Sequence, residues 1–562
     1  MDVVAGVKVS PRLQSAAASL MPGSVLQTGM ATEVVADDNS ETAGPRARGR
    51  RAARAMAPAV LGALLGAAFE PLAFPYVIPL CIAGLTLTLR DLSARRAALR
   101  TAVFGSAFML STLVWLWPSI GFGAWLALSL VQGLWFVLLG WGLSLIRRLP
   151  LWPVWSAALW SAVETLRGQW PLGGLPWSRL GTAVVDTPWA HLLPLLGIAG
   201  TGLVLALLGF LVAAVLETPT LLDRSVRRLA VVLAAVFALT LIPAMVAGPV
   251  DESRTLTVAI IQGGVPGNGT DLVANHRQVT RNHQEATEQL ASRVESGDEP
   301  APDVVIWPEN STAVDPFTDR KARDAIESSL AAIGRPILVG AMVDAEDPRR
   351  VLNQGIAWDP STGPGERYTK SHPVPFGEYI PFRDVLGDIS PRLQEIPRDM
   401  IAGGPQAPVT VGSTKVAMAI CFDVAFDDVL TEQVGDGAEI AVVQTSNAIF
   451  TGTAQPAQQF AISRARALET GRSVVVASTN GISGAIGPDG TVLRRSSTRG
   501  TEVLVAAVPL ASGNTAAVWT APIVRLASLV VALGAVLVGL RRRRALIRQR
   551  RRSHQRAAHG GF

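Results

Sequence analysis

The sequence predicts a multi-pass α-helical membrane bundle of about eight transmembrane helices, joined to an α/β domain outside the cytoplasm. Three observations carry this. Apolar residues make up 49% of the 562 positions and charged ones only 17%, with 14 Trp against 3 Tyr, the balance of a chain that meets lipid. Most of the apolar residues gather into stretches near the length of about 20 residues that a helix needs to cross a bilayer. Between residues 255 and 510 the apolar runs instead shorten, become β-branched and alternate with helical periodicity, the pattern of an α/β fold.

Taken in order, residues 1–54 are small and polar and end in the basic run Arg46–Arg54. They read as a disordered cytoplasmic tail. No charged start leads into a short apolar core and a small-residue cleavage site, so the segment is not a signal peptide, and Met30 or Met56 are alternative starts. The region 55–247 holds seven candidate spans, at 56–70, 73–89, 101–119, 122–146, 150–166, 190–216 and 228–247. The first two are short and split by Glu70-Pro71. An eighth span occupies 513–540, and the basic segment 541–562 reads as a cytoplasmic tail.

Arginines set the orientation, because Lys and Arg accumulate on the cytoplasmic side. They cluster at Arg46–Arg54, Arg90–Arg100, Arg147-Arg148, Arg224–Arg228 and Arg541–Arg552, on alternate loops, while the loop 167–189 carries only Arg167 and Arg179. Eight crossings with both termini inside satisfy every loop and put 248–512 on the extracytoplasmic face of the plasma membrane. The sequence pI near 9.9 therefore reflects topogenic arginines lying beside anionic lipid headgroups, not nucleic-acid binding.

Within 248–512 the strand candidates are 256–261, 303–307, 336–340, 415–420, 440–444, 473–477 and 501–505. The helix candidates are 276–294, 319–333 and 457–469, the last stopped by Gly471. Reactive groups in α/β sheets collect beyond the carboxyl ends of strands, which is where Glu309, Lys370 and Cys421 fall. A thiol becomes a nucleophile when a base or a cation promotes its ionisation. Glu309 supplies the base. Lys370 supplies the cation, and with the backbone N–H of Phe422 it can hold the oxyanion of a tetrahedral intermediate. Glu378, in Pro375-Phe-Gly-Glu378, orients Lys370 or the incoming amine. Singly, each residue has a bland explanation: a packed Cys, solvated charges, an ordinary turn. Their occurrence together and in order points to acyl transfer. The six histidines lack ligand spacing and Cys421 has no neighbouring Cys, so no metal is expected. No phosphate-cradling loop followed by Lys occurs, so no nucleotide or other cofactor is expected.

The segments Trp307-Pro-Glu309, Tyr368-Thr-Lys370-Ser-His-Pro-Val-Pro-Phe-Gly-Glu378-Tyr-Ile-Pro, Ala419-Ile-Cys421-Phe-Asp423, Ser446-Asn447-Ala-Ile-Phe450, Arg464–Glu469 and Ser478–Gly490, with Gly173-Gly-Leu-Pro176-Trp177 in the membrane part, resemble the apolipoprotein N-acyltransferase family. The soluble part of that family belongs to the nitrilase (carbon–nitrogen hydrolase) superfamily. The resemblance covers roughly 55–540. It implies a nitrilase-like αββα sandwich and a triad of Glu309, Lys370 and Cys421 assisted by Glu378. It further implies substrate-contacting positions at Phe422, Asp423, Asn447, Phe450 and Trp177. The implied reaction moves an acyl chain from a phospholipid onto the cysteine, then onto the N-terminal amine of a diacylglyceryl-modified apolipoprotein. Phe422-Asp423 stands where relatives often carry Tyr-Glu, and the loop 262–271 lacks a tryptophan that relatives carry. The Ala- and Arg-rich composition fits an actinobacterial source, where a polyprenol-phosphate mannose synthase is an expected partner. The alternative is a membrane-tethered amidase or nitrilase with water as second acceptor. A transporter or sensor is a further class, with Glu164 and His191 as its candidate ionisable groups.

Overall fold

The computed structural model describes residues 45–218, 231, 232, 235, 250–272, 275–387, 391–394 and 396–559. Helices α1 (Pro45–Gly66), α2 (Val77–Thr88), α3 (Ala94–Thr112), α4 (Phe122–Ile146), α5 (Trp152–Arg167) and α6 (Leu193–Glu217) stand where the first six apolar stretches lie. The expected span 228–247, the tail up to residue 44 and residues 560–562 lie outside the described residues, apart from the few positions just named. Among the described residues three segments, Phe122–Ile146, Pro188–Glu217 and Ala516–Gln555, are long and apolar enough to cross a membrane. Two of them keep apolar faces open at helical spacing, with Leu130, Leu134 and Leu138 on α4 and Leu526, Val530, Leu533 and Leu537 on the C-terminal helix. Such stripes suit contact with lipid chains.

Small residues let the helices approach. A Cβ on Gly62 of α1 would fall 2.1 Å from the Phe104 carbonyl of α3, and one on Gly140 of α4 would strike Thr101 and Ala97 of α3, the close packing that membrane helices favour. The C-terminal helix extends beyond the expected span. It runs unbroken from Ala516 to His559, through the basic segment expected to be a tail. Arg, Ala, Leu and Gln are strong helix formers, and no Gly or Pro interrupts them there.

The domain that follows is two sheets between helices. Its chain order is β1 (Val250–Gln262), α7 (His276–Glu295), β2 (Val304–Ile306), α8 (Arg320–Ile333), β3 (Ile337–Asp344), β4 (Arg350–Asp359), β5 (Gly363–Thr369), β6 (Asp399–Met400), β7 (Val409–Val411), β8 (Thr414–Ile420), α9 (Asp427–Gly435), β9 (Ile440–Thr445), α10 (Gln455–Thr470), β10 (Val474–Ser478), β11 (Gly484–Ile486), β12 (Val492–Arg495) and β13 (Glu502–Ala511). One sheet has the order β13-β1-β2-β3-β4-β5, with β6 beside β4, and the other β12-β11-β10-β9-β8-β7. The centres β1-β2-β3 and β8-β9-β10 are parallel. Period-two alternation sorts the faces. Val258, Ile260, Val304, Ile306 and Leu338 pack with Val416, Met418, Ile420 and Val442 of the facing sheet. Ala259, Ile261, Val305 and Val339 turn outward onto Ala286 and Leu290 of α7 and Ile326 and Leu330 of α8. Gln444 ties the sheets together, its Nε2 donating to the Trp307 carbonyl at 2.6 Å.

All strands and helices expected in this domain are present, and Gly471 closes α10 at φ +65°. The strands not anticipated are β4 to β7, β11 and β12. Most are short, Gly-rich or polar, as in Gly363–Thr369 and the surface strand β12, whereas β4 spans ten residues and is mostly buried.

Bundle and sandwich meet through α10. Gly197 in α6 sits at φ +68°, a left-handed kink that glycine permits. The kink frees the Ile198 N–H, which donates to Glu469 Oε1 of α10 at 2.8 Å. Gln458 Oε1 accepts from the indoles of Trp115 (3.0 Å) and Trp177 (2.7 Å), while its Nε2 donates to the carbonyls of Glu70 and Thr112. Trp177 and Trp160 are buried, where Gln458 and Glu164 supply partners for their N–H groups. Arg167 and Arg179 are buried too. Arg167 donates to the carbonyls of Leu175 and Trp177, and Arg179 to Asp427, so these two arginines are internal struts.

Under the first sheet, His283 Nε2 accepts from the Gly263 N–H at 3.2 Å while its Nδ1 faces the Val279 carbonyl. Burial lowers the imidazole pKa from 6.5 to about 4. The unfolded chain thus takes up a proton near pH 6.5 that the folded chain refuses until about pH 4. Stability is lost as pH falls through that window, by about 3 kcal/mol. Substitution His283→Gln, which keeps a donor and an acceptor, is expected to gain stability relative to the native chain between pH 6.5 and 4 and to show a constant difference above pH 7. Unfolding midpoints measured across that range check it.

Candidate active site

Glu309 lies just beyond β2, Lys370 directly after β5 and Cys421 directly after β8. The two sheets face each other, so these strand ends converge. Lys370 is fully buried, and its Nζ donates to Glu309 Oε1 at 3.1 Å and to Glu378 Oε1 at 2.6 Å. Glu309 is held on all sides. Asn353 Nδ2 (2.7 Å) reaches Oε1, the Ser446 N–H (2.9 Å) reaches Oε2, and Thr479 Oγ1 (3.0 Å) fixes its carbonyl. Glu378 Oε2 accepts from the Val374 N–H at 2.8 Å, so the Pro375-Phe-Gly-Glu378 turn closes on its own carboxylate. Glu309, Lys370 and Glu378 are therefore in direct contact.

Cys421 occupies the left-handed region at φ +53°, as do Asn310 (+56°) and Asn447 (+50°) around it. For a cysteine this is a strained position. It turns the chain sharply out of β8 into a single 3₁₀ turn, Cys421–Ala425. Gln459 of α10 holds the turn, donating to the Cys421 carbonyl (3.1 Å) and to Thr445 Oγ1 (3.2 Å).

The charges act on one another. Burial works against the Lys370 ammonium, but Glu309 and Glu378 overcome it and hold its pKa well above the ordinary lysine value. Burial, opposed by Lys370, raises that of Glu378. Burial and then the Glu309 carboxylate push the Cys421 thiol up to about 12, against the pull of Lys370 and Thr445. At neutral pH the resting sulfur carries its proton, so its attack requires a base.

The remaining expected positions divide. Phe422 is half-buried, stacks on Trp177 at 6.3 Å and lines a 240 Å³ cavity with Leu172, Ser371, His372, Tyr379 and Phe426. Phe450 packs edge-on against Trp115 at 5.1 Å, and Trp115 packs on Trp177. These aromatics wall the site on the side of the bundle. Asp423 differs from expectation as a substrate contact. It is fully buried, and its carboxylate accepts from Tyr368 Oη (2.9 Å) and from the N–H groups of Ser371, His372 and Ile420. It locks the lysine loop to the strand that ends at Cys421. Asn447 is also buried, its Oδ1 accepting from Thr445 Oγ1. Sequence reading missed Asn353, Ser446, Thr445 and Gln459. Asn353 left a weak signal, a buried amide pair with Gln354 in the middle of β4.

Residues 61–211 match the family described as the apolipoprotein N-acyltransferase N-terminal domain, and residues 257–517 match carbon–nitrogen hydrolase. An apolipoprotein N-acyltransferase from Mycolicibacterium smegmatis is 34% identical over 459 residues, 78% of this chain and 76% of its own. The chain belongs to the apolipoprotein N-acyltransferase family. A second relative of that name, from Methylococcus capsulatus, is 29% identical over 75% of this chain and 84% of its own. Among solved structures, a mutant of the amidase from Nesterenkonia sp. AN1 aligns over 47% of this chain and 95% of its own, at 16% identity and a TM-score of 0.32.

The geometry fixes how the thiol should respond to its neighbours. Substitution Glu309→Gln removes a negative charge and is expected to lower the pKa of Cys421. Substitution Lys370→Met is expected to raise it. The pH dependence of iodoacetamide alkylation at Cys421, followed by peptide mass spectrometry, checks both directions.

Proposed function

We propose that the protein transfers an acyl chain from a membrane phospholipid, through a thioester on Cys421, to the α-amine of an N-terminal diacylglyceryl-cysteine on an apolipoprotein. The observation that carries this reading is the contact of Lys370 with both Glu309 and Glu378 beside Cys421, in a site whose aromatic wall is shared with a lipid-facing bundle. Family membership supports it independently.

In the first half-reaction Glu309 takes the thiol proton as sulfur attacks the ester carbonyl. The Lys370 ammonium and the Phe422 N–H stabilise the oxyanion. As the tetrahedral species collapses, the C–O bond breaks and the departing lysophospholipid alkoxide takes the proton back from Glu309. In the second half-reaction the neutral amine attacks the thioester. Glu309 accepts its proton and passes it to the departing thiolate, leaving an amide and a free thiol. Glu378 keeps Lys370 in place throughout.

The reading includes the catalytic domain on the extracytoplasmic side of the plasma membrane, with eight spans and both termini inside. The alternate-loop arginines support that orientation, and so does the internal use of Arg167 and Arg179. The mannose synthase partner rests on family resemblance alone.

Intact-protein mass spectrometry after incubation with phospholipid tests the chemistry. The native chain should gain one fatty-acyl increment, released by hydroxylamine, and Cys421→Ala none. Lys370→Met should slow acylation by about 100- to 1,000-fold. No increment on the native chain, with Cys421 readily alkylated, would remove phospholipid as donor and favour the amidase alternative.

A further inference from the structure

At the end of the bundle away from Cys421, a cavity of 540 Å³ lies between the start of α3, the end of α4 and the C-terminal helix. That volume is within the range of about 300–1,000 Å³ usual for small-ligand sites. Its apolar lining is Leu92, Leu145, Leu149 and Leu546, and its charged groups are the guanidiniums of Arg148, Arg542 and Arg543. No carboxylate lines it. Asp91, beside Leu92 in the chain, pairs with Arg90.

These three arginines are unspent. Among the described residues, no side chain pairs with Arg148, Arg542 or Arg543, whereas the adjacent Arg147 is committed to Glu217 and to the Thr86 carbonyl. The first turn of α3 adds to the same field. Ser93 caps it, Ser93 and Ala94 line the cavity, and the turn holds no acid, so the positive end of the helix dipole reinforces the guanidiniums.

The C-terminal helix is patterned to present this charge. Gly539, Arg542, Arg543 and Leu546 recur at i, i+3, i+4 and i+7 and share one face, the face that lines the cavity. Gly539 brings that face close, since a Cβ there would fall 2.8 Å from the Leu145 carbonyl. Arg541, Arg544 and Arg548 lie on the opposite face and line none of it. The helix starts at the catalytic domain, where the Thr515 hydroxyl donates to the Glu469 carbonyl. A rise of about 1.5 Å per residue carries it about 35 Å from Ala516 to Gly539. A bilayer core is about 30 Å thick, so the cavity falls at headgroup level in the leaflet opposite the active site. Unpaired guanidiniums over leucines at that depth match a lipid with an anionic headgroup.

We infer that this cavity binds one anionic phospholipid, its phosphate held by Arg148, Arg542 and Arg543 and its glycerol and upper chain carbons against the leucines. The lipid clasps the C-terminal helix to α3 and α4, far from the acylation chemistry.

The test is native mass spectrometry of the full chain in detergent. The probes are di-O-hexadecyl-phosphatidylglycerol, whose ether-linked chains cannot be transferred to Cys421, its phosphatidylcholine counterpart, and inorganic phosphate. The native chain should retain the phosphatidylglycerol in preference to the phosphatidylcholine. The triple substitution Arg148→Gln, Arg542→Gln and Arg543→Gln should weaken phosphatidylglycerol binding about tenfold or more. Removing the same charge from the other face, with Arg541→Gln, Arg544→Gln and Arg548→Gln, should change it little. Should the first triple variant fail to elute as a single species, Arg148→Gln and Arg542→Gln alone should each weaken binding by a smaller factor. Equal losses in the two triple variants would reduce the site to diffuse attraction along a basic helix and overturn the inference, as would equal retention of both lipids by the native chain. Displacement of the phosphatidylglycerol by equimolar inorganic phosphate would overturn a lipid as the occupant.

Discussion

A buried ammonium sets the terms for this catalytic domain. Lys370 has no access to water, and an uncompensated charge there would cost more than the fold can spare. It is tolerated because two carboxylates reach it, Glu309 from the end of β2 and Glu378 from the following turn. Each of these is held by further donors: Asn353 from β4, Ser446 after β9 and the Val374 N–H. Satisfying one cation therefore ties both sheets and the lysine loop into one arrangement. Asp423 extends it, since its carboxylate binds the N–H groups of Ser371 and His372 immediately after the lysine and that of Ile420 immediately before the nucleophile. The distance between cation and sulfur is thus set by hydrogen bonds spanning two strand ends rather than by loop packing.

The second constraint runs through α10. One face of this helix carries Gln459, which holds the Cys421 carbonyl, and Arg466, which holds the carbonyls of Val424 and Ala425 in the same turn. The same helix carries Gln458 and Glu469, whose partners lie in the bundle: Trp115, Trp177, the Thr112 carbonyl and the kinked N–H of Ile198. A nucleophile in a strained left-handed conformation is in this way braced from the membrane side. The bundle does more than anchor the domain, because it supplies part of the scaffold that keeps Cys421 in position.

Much of this was legible in the sequence, and the limits have physical causes. Glu309, Lys370, Glu378 and Cys421 stood out because strand ends and distinctive side chains mark them, and the parallel central strands stood out because their apolar runs are short and rich in β-branched residues. The strands β5 and β12 did not, since Gly363–Thr369 is dominated by Gly, Pro and charge and Val492–Arg495 is exposed throughout. Pairing with a neighbour, not intrinsic pattern, makes them strands. The placement of Trp160 and Trp177 is hidden in the sequence for a related reason. A tryptophan with a polar partner inside the fold has the same letter as one at a membrane surface, and only the distant Gln458, 281 residues along the chain from Trp177, tells them apart. Asp423 looked like a substrate contact because it follows the nucleophile, whereas its burial follows from donors more than 50 residues away.

The protonated resting state of Cys421 follows from the same enclosure and suits a lipid substrate. A preformed thiolate would need the site to stabilise an anion beside Glu309 with no substrate bound. Burial and that carboxylate instead favour the thiol, so in the proposed mechanism charge develops on sulfur as the proton moves to Glu309. The arrangement couples nucleophile formation to the presence of a carbonyl in reach of Lys370. A thioester formed there is then flanked by Phe422, Trp177, Trp115 and Phe450, an apolar surround that disfavours water as acceptor and leaves the amine as the productive one. Enclosure that makes the thiol a poor nucleophile at rest also keeps its acyl-enzyme from hydrolysis. A two-step transferase needs both.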